Sequence, residues 1–208
     1  MYNENIAKNI VTICHEIYQK GLVSGSGGNI SYRDGDEIYI TASGVPLKEV
    51  NEDNLVCVSL KDGGYTGNIC PSKETMMHVK CYMERPDIMA VLHVHSVYTV
   101  AVSCMEEINE KKSVPVYTPG YGARVGILPI IPYIMPGSTQ LAERVADVIK
   151  HRNMVLLENH GVVTVGDTLE QAFGLIDEIE ENAKIYVVLN GQGRTLSAEQ
   201  IEELRIYK

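Results

Sequence analysis

The sequence predicts an α/β fold in which helices pack against a mainly antiparallel sheet. Three observations carry this. Short runs rich in β-branched residues, such as "EIYITASG" and "NLVCVSL", are bounded by turn residues, and "MVLLENHGVVTVG" reads as strand, tight turn, strand. Other stretches place apolar residues at helical spacing. Strands and helices do not alternate one for one, which argues against a regular parallel βαβ array.

The elements follow in order. Asn5 to Lys20 places Ile6, Ile10, Cys14 and Ile17 on one helical face, with Gly21 as its stop. The glycine-rich loop "SGSGGNIS" (Ser24 to Ser31) leads into a strand. Glu37 to Gly44 is a strand ending in a polar turn, and Asn54 to Leu60 is another, followed by the turn "KDGG". A helix is predicted from Pro71, with Ser72 as N-cap and Met76, Val79 and Met83 on its inner face. "RPD" breaks it. "VLHVHSVYTVA" (Val91 to Ala101) then runs as a core strand that exits toward a helix at Ser96. Ser138 to Arg152 is a capped helix burying Leu141, Val145, Val148 and Ile149. Asp167 to Leu189 is a long helix with Asp167 as N-cap, and "SAEQIEELRIY" is a short terminal helix. With no repeat or linker, one domain over residues 1–208 is expected.

Composition narrows the function. Apolar residues make up 45% and charged residues 22%, ordinary for a globular protein. The net charge of −9 disfavours nucleic acid and anionic membranes as partners, although backbone N–H groups can bind phosphate at any net charge. The five cysteines are odd in number and form no CxxC pair, so a cysteine zinc site is not expected. "MYNENIAKNI" lacks the basic and apolar regions of a signal peptide, and no apolar run reaches the ~18 residues of a membrane span. A reduced, soluble, cytoplasmic protein is expected.

The chemistry begins with the two histidines of the core strand. Residues i and i+2 share a face, so His93 and His95 present two imidazoles side by side while Leu92 and Val94 point the other way. Two imidazoles in an apolar run need partners, and a shared divalent metal supplies them; hydrogen bonds to other groups are the plain alternative. His160, beside Gly161 at a tight turn, is a third candidate and would complete an open three-histidine site. Glu74 sits in the first turn of the helix after "PSK", where the helix dipole favours a carboxylate. His78, four residues on, could approach Glu74 or simply lie on that helix face; His15 and His151 read as structural. The turns "GSGGNIS" and "TASG", with Ser72 and Lys73, could form a nest for a phosphate, though ordinary loops explain them as well.

Taken together, "GSGGNIS", "ITASG", "PSKE", "RPDIMAVLHVHS" and "LLENHGVV" resemble the class II aldolase/adducin family over nearly the whole chain. The resemblance implies a three-layer αβα sandwich around a mainly antiparallel sheet, and a cyclic homotetramer with active sites between subunits. It implies that His93, His95 and His160 bind zinc, and that Glu74 both ligates the metal and serves as acid/base. Gly28, Asn29, Ser43, Gly44 and Ser72 fall on phosphate-binding positions. Adducin-like members are binding modules without the metal histidines; this chain keeps all three, which implies an enzyme.

One departure is informative. Where related sugar-phosphate aldolases commonly carry a second serine, this chain has Lys73, and that residue together with "LPIIPYIMPGS" resembles the branch that decarboxylates 3-oxo-tetronate 4-phosphates. The first reading is a zinc-dependent aldolase cleaving a phosphorylated ketose of the L-fuculose 1-phosphate type through a metal-stabilised enediolate. The alternative is the decarboxylase. Manganese and cobalt suit the same donors. Tyr117, Tyr121 and Tyr207 are the candidates for the family's catalytic tyrosine.

Overall fold

The computed structural model describes residues 3–206. Helix α1 (Glu4–Gln19) is capped by the Asn3 side chain and buries Ala7, Ile10, Ile13, Cys14 and Ile17. It ends as the sequence predicts. Gly21, at φ +72°, donates to the Tyr18 carbonyl and Leu22 to the Ile17 carbonyl, a left-handed stop that favours glycine.

The sheet is built from β1 (Asn29–Asp34), β2 (Glu37–Thr41), β3 (Leu55–Ser59), β4 (Ala90–Val94), β5 (Ile130–Ile131), β6 (Met154–Leu157) and β7 (Gly161–Gly166). Their spatial order is β3-β2-β1-β4-β7-β6-β5, and every pairing is antiparallel except that of β5 with β6. The remaining helices are α2 (Thr75–Glu84), α3 (Val97–Ser103), α4 (Pro119–Arg124), α5 (Thr139–Ile149), α6 (Leu169–Val188) and α7 (Ala198–Ile206). Residues of α1, α3, α4 and α6 share one apolar core with Ile30, Leu92, Val94 and Val162 of the sheet. Residues of α2 and α5 share a second core with Ile38, Ile40, Val91, Val163 and Val165. The result is the expected αβα sandwich around a mainly antiparallel sheet. Among the described residues no helix is long and apolar enough to cross a membrane.

Four local expectations need correction. The helix predicted from Pro71 starts only at Thr75, with Glu74 at its N-cap position rather than in its first turn. Residues 70–72 first run along the end of β2: Ser43 N–H donates to the Cys70 carbonyl, and Ser72 N–H to the Thr41 carbonyl. The Ser72 hydroxyl oxygen then accepts from Glu74 N–H at 3.2 Å and closes the turn.

The inner face of α2 is also different. Met76 and Met83 are exposed, whereas Met77, His78, Val79, Cys81 and Tyr82 are buried. Hydropathy favours Met over His and Tyr for the inside, but His78 and Tyr82 meet hydrogen-bond partners there and can be buried at small net cost.

The long helix is capped by Thr168, not Asp167. Thr168 Oγ1 accepts from Gln171 N–H at 3.1 Å, and the Gln171 side chain accepts in return from the Asp167 backbone N–H at 3.1 Å. Finally, β4 stops at Val94, so His95 lies just past the strand end and α3 begins at Val97.

Candidate metal centre

Four separate elements deliver the site. Asn29 opens β1 and lies opposite His93 of β4, which in turn lies opposite Val163 of β7. The alternation of β4 sends His93 toward the α2 layer, on the same side as Val91. His95 follows from the strand end. His160 comes from the β6–β7 turn, where Asn159 sits at φ +55°, a left-handed conformation that asparagine tolerates better than most residues. Glu74 comes from the start of α2.

Two glycines let these pieces meet. A side chain at Gly161 would strike the Val94 carbonyl and lie 2.9 Å from His95 Cδ2. A side chain at Gly28, which is at φ +81°, would lie 2.9 Å from the His93 carbonyl. The glycine beside His160 is therefore there for close packing of the hairpin against the histidine strand.

The donor atoms converge. His93 Nε2 lies 2.8 Å from His95 Nε2, 3.3 Å from His160 Nε2 and 3.3 Å from Glu74 Oε2. His160 Nε2 is 3.6 Å from Glu74 Oε1, and one ligand atom from each of the four residues lies within 4.8 Å of the others. His93 Nδ1 is 3.0 Å from the Val162 carbonyl, which can only accept, so Nδ1 carries the proton and Nε2 turns its lone pair inward. Glu74 Oε1 is buried without a hydrogen-bond partner.

Burial lowers the imidazole pKa of all three histidines, that of His93 well below the ordinary value, and like-charge repulsion among the rings lowers those of His93 and His95 further. The Val162 hydrogen bond opposes this at His93, and Glu74 opposes it at His95 and His160. Three neutral imidazoles and a carboxylate oxygen aimed at one point, one of those oxygens unpartnered, fit a divalent cation.

The cluster opens onto a cavity of about 440 Å³ lined by Ser26, Gly27, Gly28, Asn29, Ala42, Ser43, Gly44, Ser72, Lys73, Glu74, His95, Pro136, Gly137 and His160. Every residue named above for metal or phosphate is thus at this one place, except His93, which lies buried beneath it. Asn29 stands there differently from the expectation. Its side chain is buried, with Oδ1 2.5 Å from His78 Nε2 and Nδ2 2.9 Å from Glu74 Oε2. Gly137, at φ +74°, brings the "MPGS" segment against the Lys73 backbone: a side chain there would lie 3.2 Å from the Lys73 carbonyl.

The tyrosines are elsewhere in the chain. Tyr121 is fully buried in the core on the opposite face of the sheet, and Tyr117 packs beside Tyr186, with ring centroids 6.2 Å apart. Neither lines the cavity. Tyr207 lies outside the described residues.

Sequence reasoning missed Ser31 and Tyr82, and undervalued His78. Their signal is spacing: Glu74, His78 and Tyr82 recur every four residues on one helix face, and Asn29 and Ser31 share one strand face.

Known proteins show the same plan. The family model described as Class II Aldolase and Adducin N-terminal domain matches residues 8–187. A 3-oxo-tetronate 4-phosphate decarboxylase from Haemophilus influenzae is 33% identical over 197 residues, covering 94% of this chain and 93% of its own length. An L-fuculose phosphate aldolase from Methanococcus maripaludis is 35% identical over 182 residues, covering 88% of this chain and 96% of its own. The crystal structure of YgbL from Klebsiella pneumoniae superposes with a TM-score of 0.91 at 31% identity, over 99% of this chain and 100% of that one. The chain belongs to the class II aldolase/adducin family.

Proposed function

We propose that this protein is a metal-dependent lyase that breaks a C–C bond in a small phosphorylated substrate, with decarboxylation of a 3-oxo-tetronate 4-phosphate as the first reading. The observation that carries the lyase reading is the convergence of His93, His95, His160 and Glu74 at the floor of the cavity. These four residues would hold a divalent metal, with zinc first and manganese or cobalt compatible with the same donors. The metal supplies Lewis-acid stabilisation of the negative charge that develops on a substrate ketone oxygen when the bond breaks.

The protein's own groups do the rest. Ser43 and Ser72 have committed their backbone N–H groups to the Cys70 and Thr41 carbonyls, so it is their hydroxyls that can donate to a phosphate. Glu74 has one oxygen held by Asn29 and the other unpartnered, so Oε1 can hold a proton and deliver it to the carbon from which carbon dioxide departs. Lys73 lines the same wall and offers a cation to a substrate that carries a carboxylate besides its phosphate. That residue, and the relatives named as decarboxylases over 94% of the chain, support decarboxylation beside the aldol cleavage expected from the sequence.

The second reading, cleavage of L-fuculose 1-phosphate to dihydroxyacetone phosphate and an aldehyde, is supported by the relatives named L-fuculose phosphate aldolase. Incubation of metal-loaded protein with each substrate separates them. Carbon dioxide from 3-oxo-tetronate 4-phosphate is expected. Aldehyde from fuculose 1-phosphate without carbon dioxide from the acid would reverse the order, and neither product would overturn both. The expected homotetramer belongs to this proposal and is tested by sedimentation velocity.

A further inference from the structure

We propose that His78 is a positioning residue for Glu74, acting through Asn29, so that only one oxygen of the carboxylate is left to move. This rests on the reading of Glu74 as metal ligand and proton carrier. The geometry is a buried chain of hydrogen bonds across the α2–β1 interface. Tyr82 Oη lies 2.9 Å from Ser31 Oγ, Ser31 Oγ lies 2.7 Å from His78 Nδ1, and His78 Nε2 lies 2.5 Å from Asn29 Oδ1. Asn29 Nδ2 then lies 2.9 Å from Glu74 Oε2. Ser31 and His78 are fully buried, and Tyr82 nearly so.

The direction of the chain follows from its end. An ionised carboxylate only accepts, so Asn29 must offer Glu74 its NH₂ and keep its carbonyl for His78. His78 therefore carries its proton on Nε2, and its Nδ1 accepts from the Ser31 hydroxyl. The Ser31 oxygen is left to accept from Tyr82, whose hydroxyl also lies within reach of the Ser31 and Met89 carbonyls. Each member fixes the next. Without His78 the Asn29 amide would be free to turn its carbonyl toward Glu74, which repels the carboxylate.

Packing alone does not ask for this chain. The neighbouring inward positions of α2 are Met77, Val79 and Cys81, and an apolar residue at position 78 would bury its area without needing partners. What the chain changes is Glu74. Oε2 is tethered, while Oε1 is buried, unpartnered and on the His160 side. The carboxylate can pivot about the tethered oxygen, which suits a group that must both bind a cation and pass a proton.

The test uses the full-length protein with His78→Leu and His78→Gln. The glutamine amide can still donate to Asn29; leucine cannot. Each variant is assayed for kcat and KM on 3-oxo-tetronate 4-phosphate, and for Co²⁺ affinity by visible absorption in metal-stripped protein. His78→Leu is expected to lose about 10–100-fold in kcat and to bind Co²⁺ about tenfold more weakly, with KM within about twofold of wild type. His78→Gln is expected to recover most of both.

Wild-type kcat and Co²⁺ affinity in a folded His78→Leu protein would overturn the proposal. So would a folded His78→Gln no better than His78→Leu. Should leucine prevent folding, Ser31→Ala leaves the histidine in place but frees its Nδ1. It is expected to lower kcat several-fold at unchanged KM, and an unchanged kcat would overturn the proposal. A wild-type protein that turns over neither phosphorylated substrate refutes the lyase reading instead, and the Co²⁺ series then decides the inference alone.

Discussion

The two faces of β1 and β4 are equally buried and chemically opposite. On one face Ile30, Leu92 and Val94 pack into the core beneath α1, α3 and α6. On the other, one residue out of step, Asn29, Ser31 and His93 face the α2 layer. Burial does not distinguish the two sets; what differs is how each compensates the loss of water. The apolar face gains about 25 cal/mol for each Å² removed from water. The polar face must return a hydrogen bond for every group it buries, and a fully paired network adds little net stability. The first face therefore serves the fold alone, while the polar residues of the second, set beside Val91, hold Glu74, and substitutions of the two sets should fail in different assays.

The largest separation is expected from Glu74→Gln. The glutamine keeps the shape and can still accept from Asn29, but it cannot carry the proton. Turnover should fall by about 10²–10⁴-fold, with the thermal midpoint nearly unchanged. Activity within threefold of wild type would take Glu74 out of the chemistry. Leu92→Ala is the converse. It should destabilise the protein by about 2–5 kcal/mol in urea denaturation while leaving Co²⁺ affinity at the wild-type value. If metal affinity fell in step with stability, the two faces would not be separable.

A smaller effect sharpens the polar face itself. Burial, followed by repulsion from His93, holds the His78 imidazole down at a pKa of about 3, against an ordinary value of 6.5. The native state keeps His78 neutral, and below pH 6.5 the unfolded state takes up a proton that the native state does not. Stability is therefore fully present above pH 6.5 and falls with acidity, by up to about 1.4 kcal/mol per pH unit, until about pH 3. His93 adds to the same slope, so the informative quantity is a difference. Metal-free wild type and His78→Gln, compared by urea denaturation at pH 6 and pH 4.5, should differ in slope by most of that amount. Equal slopes would place a second proton on His78 in the native state, at Nδ1, and reverse the direction of its bond to Ser31.

The same contrast explains what was legible in the sequence. The two apolar cores were readable because periodicity reports them directly: Ile10, Cys14 and Ile17 are buried on one side of the sheet and Leu141, Val145 and Ile149 on the other, with Ile6 and Val148 partly buried at their edges. The candidate metal residues were readable because a histidine pair in an apolar strand has few plain explanations, the turn at Gly161 and the helix after "PSK" pointed to His160 and Glu74, and the family motifs supplied their roles. The tether was readable only as spacing, with Glu74, His78 and Tyr82 four residues apart on one helix face. His78 and Tyr82 are polar, so hydropathy sends them outward, and only the register of β1 against β4 shows that Asn29 and Ser31 wait on the facing surface. The start of α2 was misjudged for a similar reason. Ser72 has the chemistry of an N-cap, but residues 70–72 are held along the end of β2 by hydrogen bonds no local pattern records.

The smallest effect concerns a residue on neither face of those strands. Thr168 caps α6, whose Leu169, Ala172, Phe173 and Ile176 cover the apolar side of the sheet. Removing the hydroxyl in Thr168→Ala leaves the Gln171 N–H without its acceptor and should cost about 1 kcal/mol. Asp167→Ala should cost less, because Asp167 enters the cap through its backbone N–H, which alanine keeps. Both variants should retain wild-type kcat and Co²⁺ affinity, since neither residue belongs to the His/Glu cluster or lines its cavity. A larger loss at Asp167 would move the cap back to where the sequence alone places it. A loss of turnover in Thr168→Ala without a loss of stability would mean that the apolar layer helps to position the chemistry as well as to hold the fold.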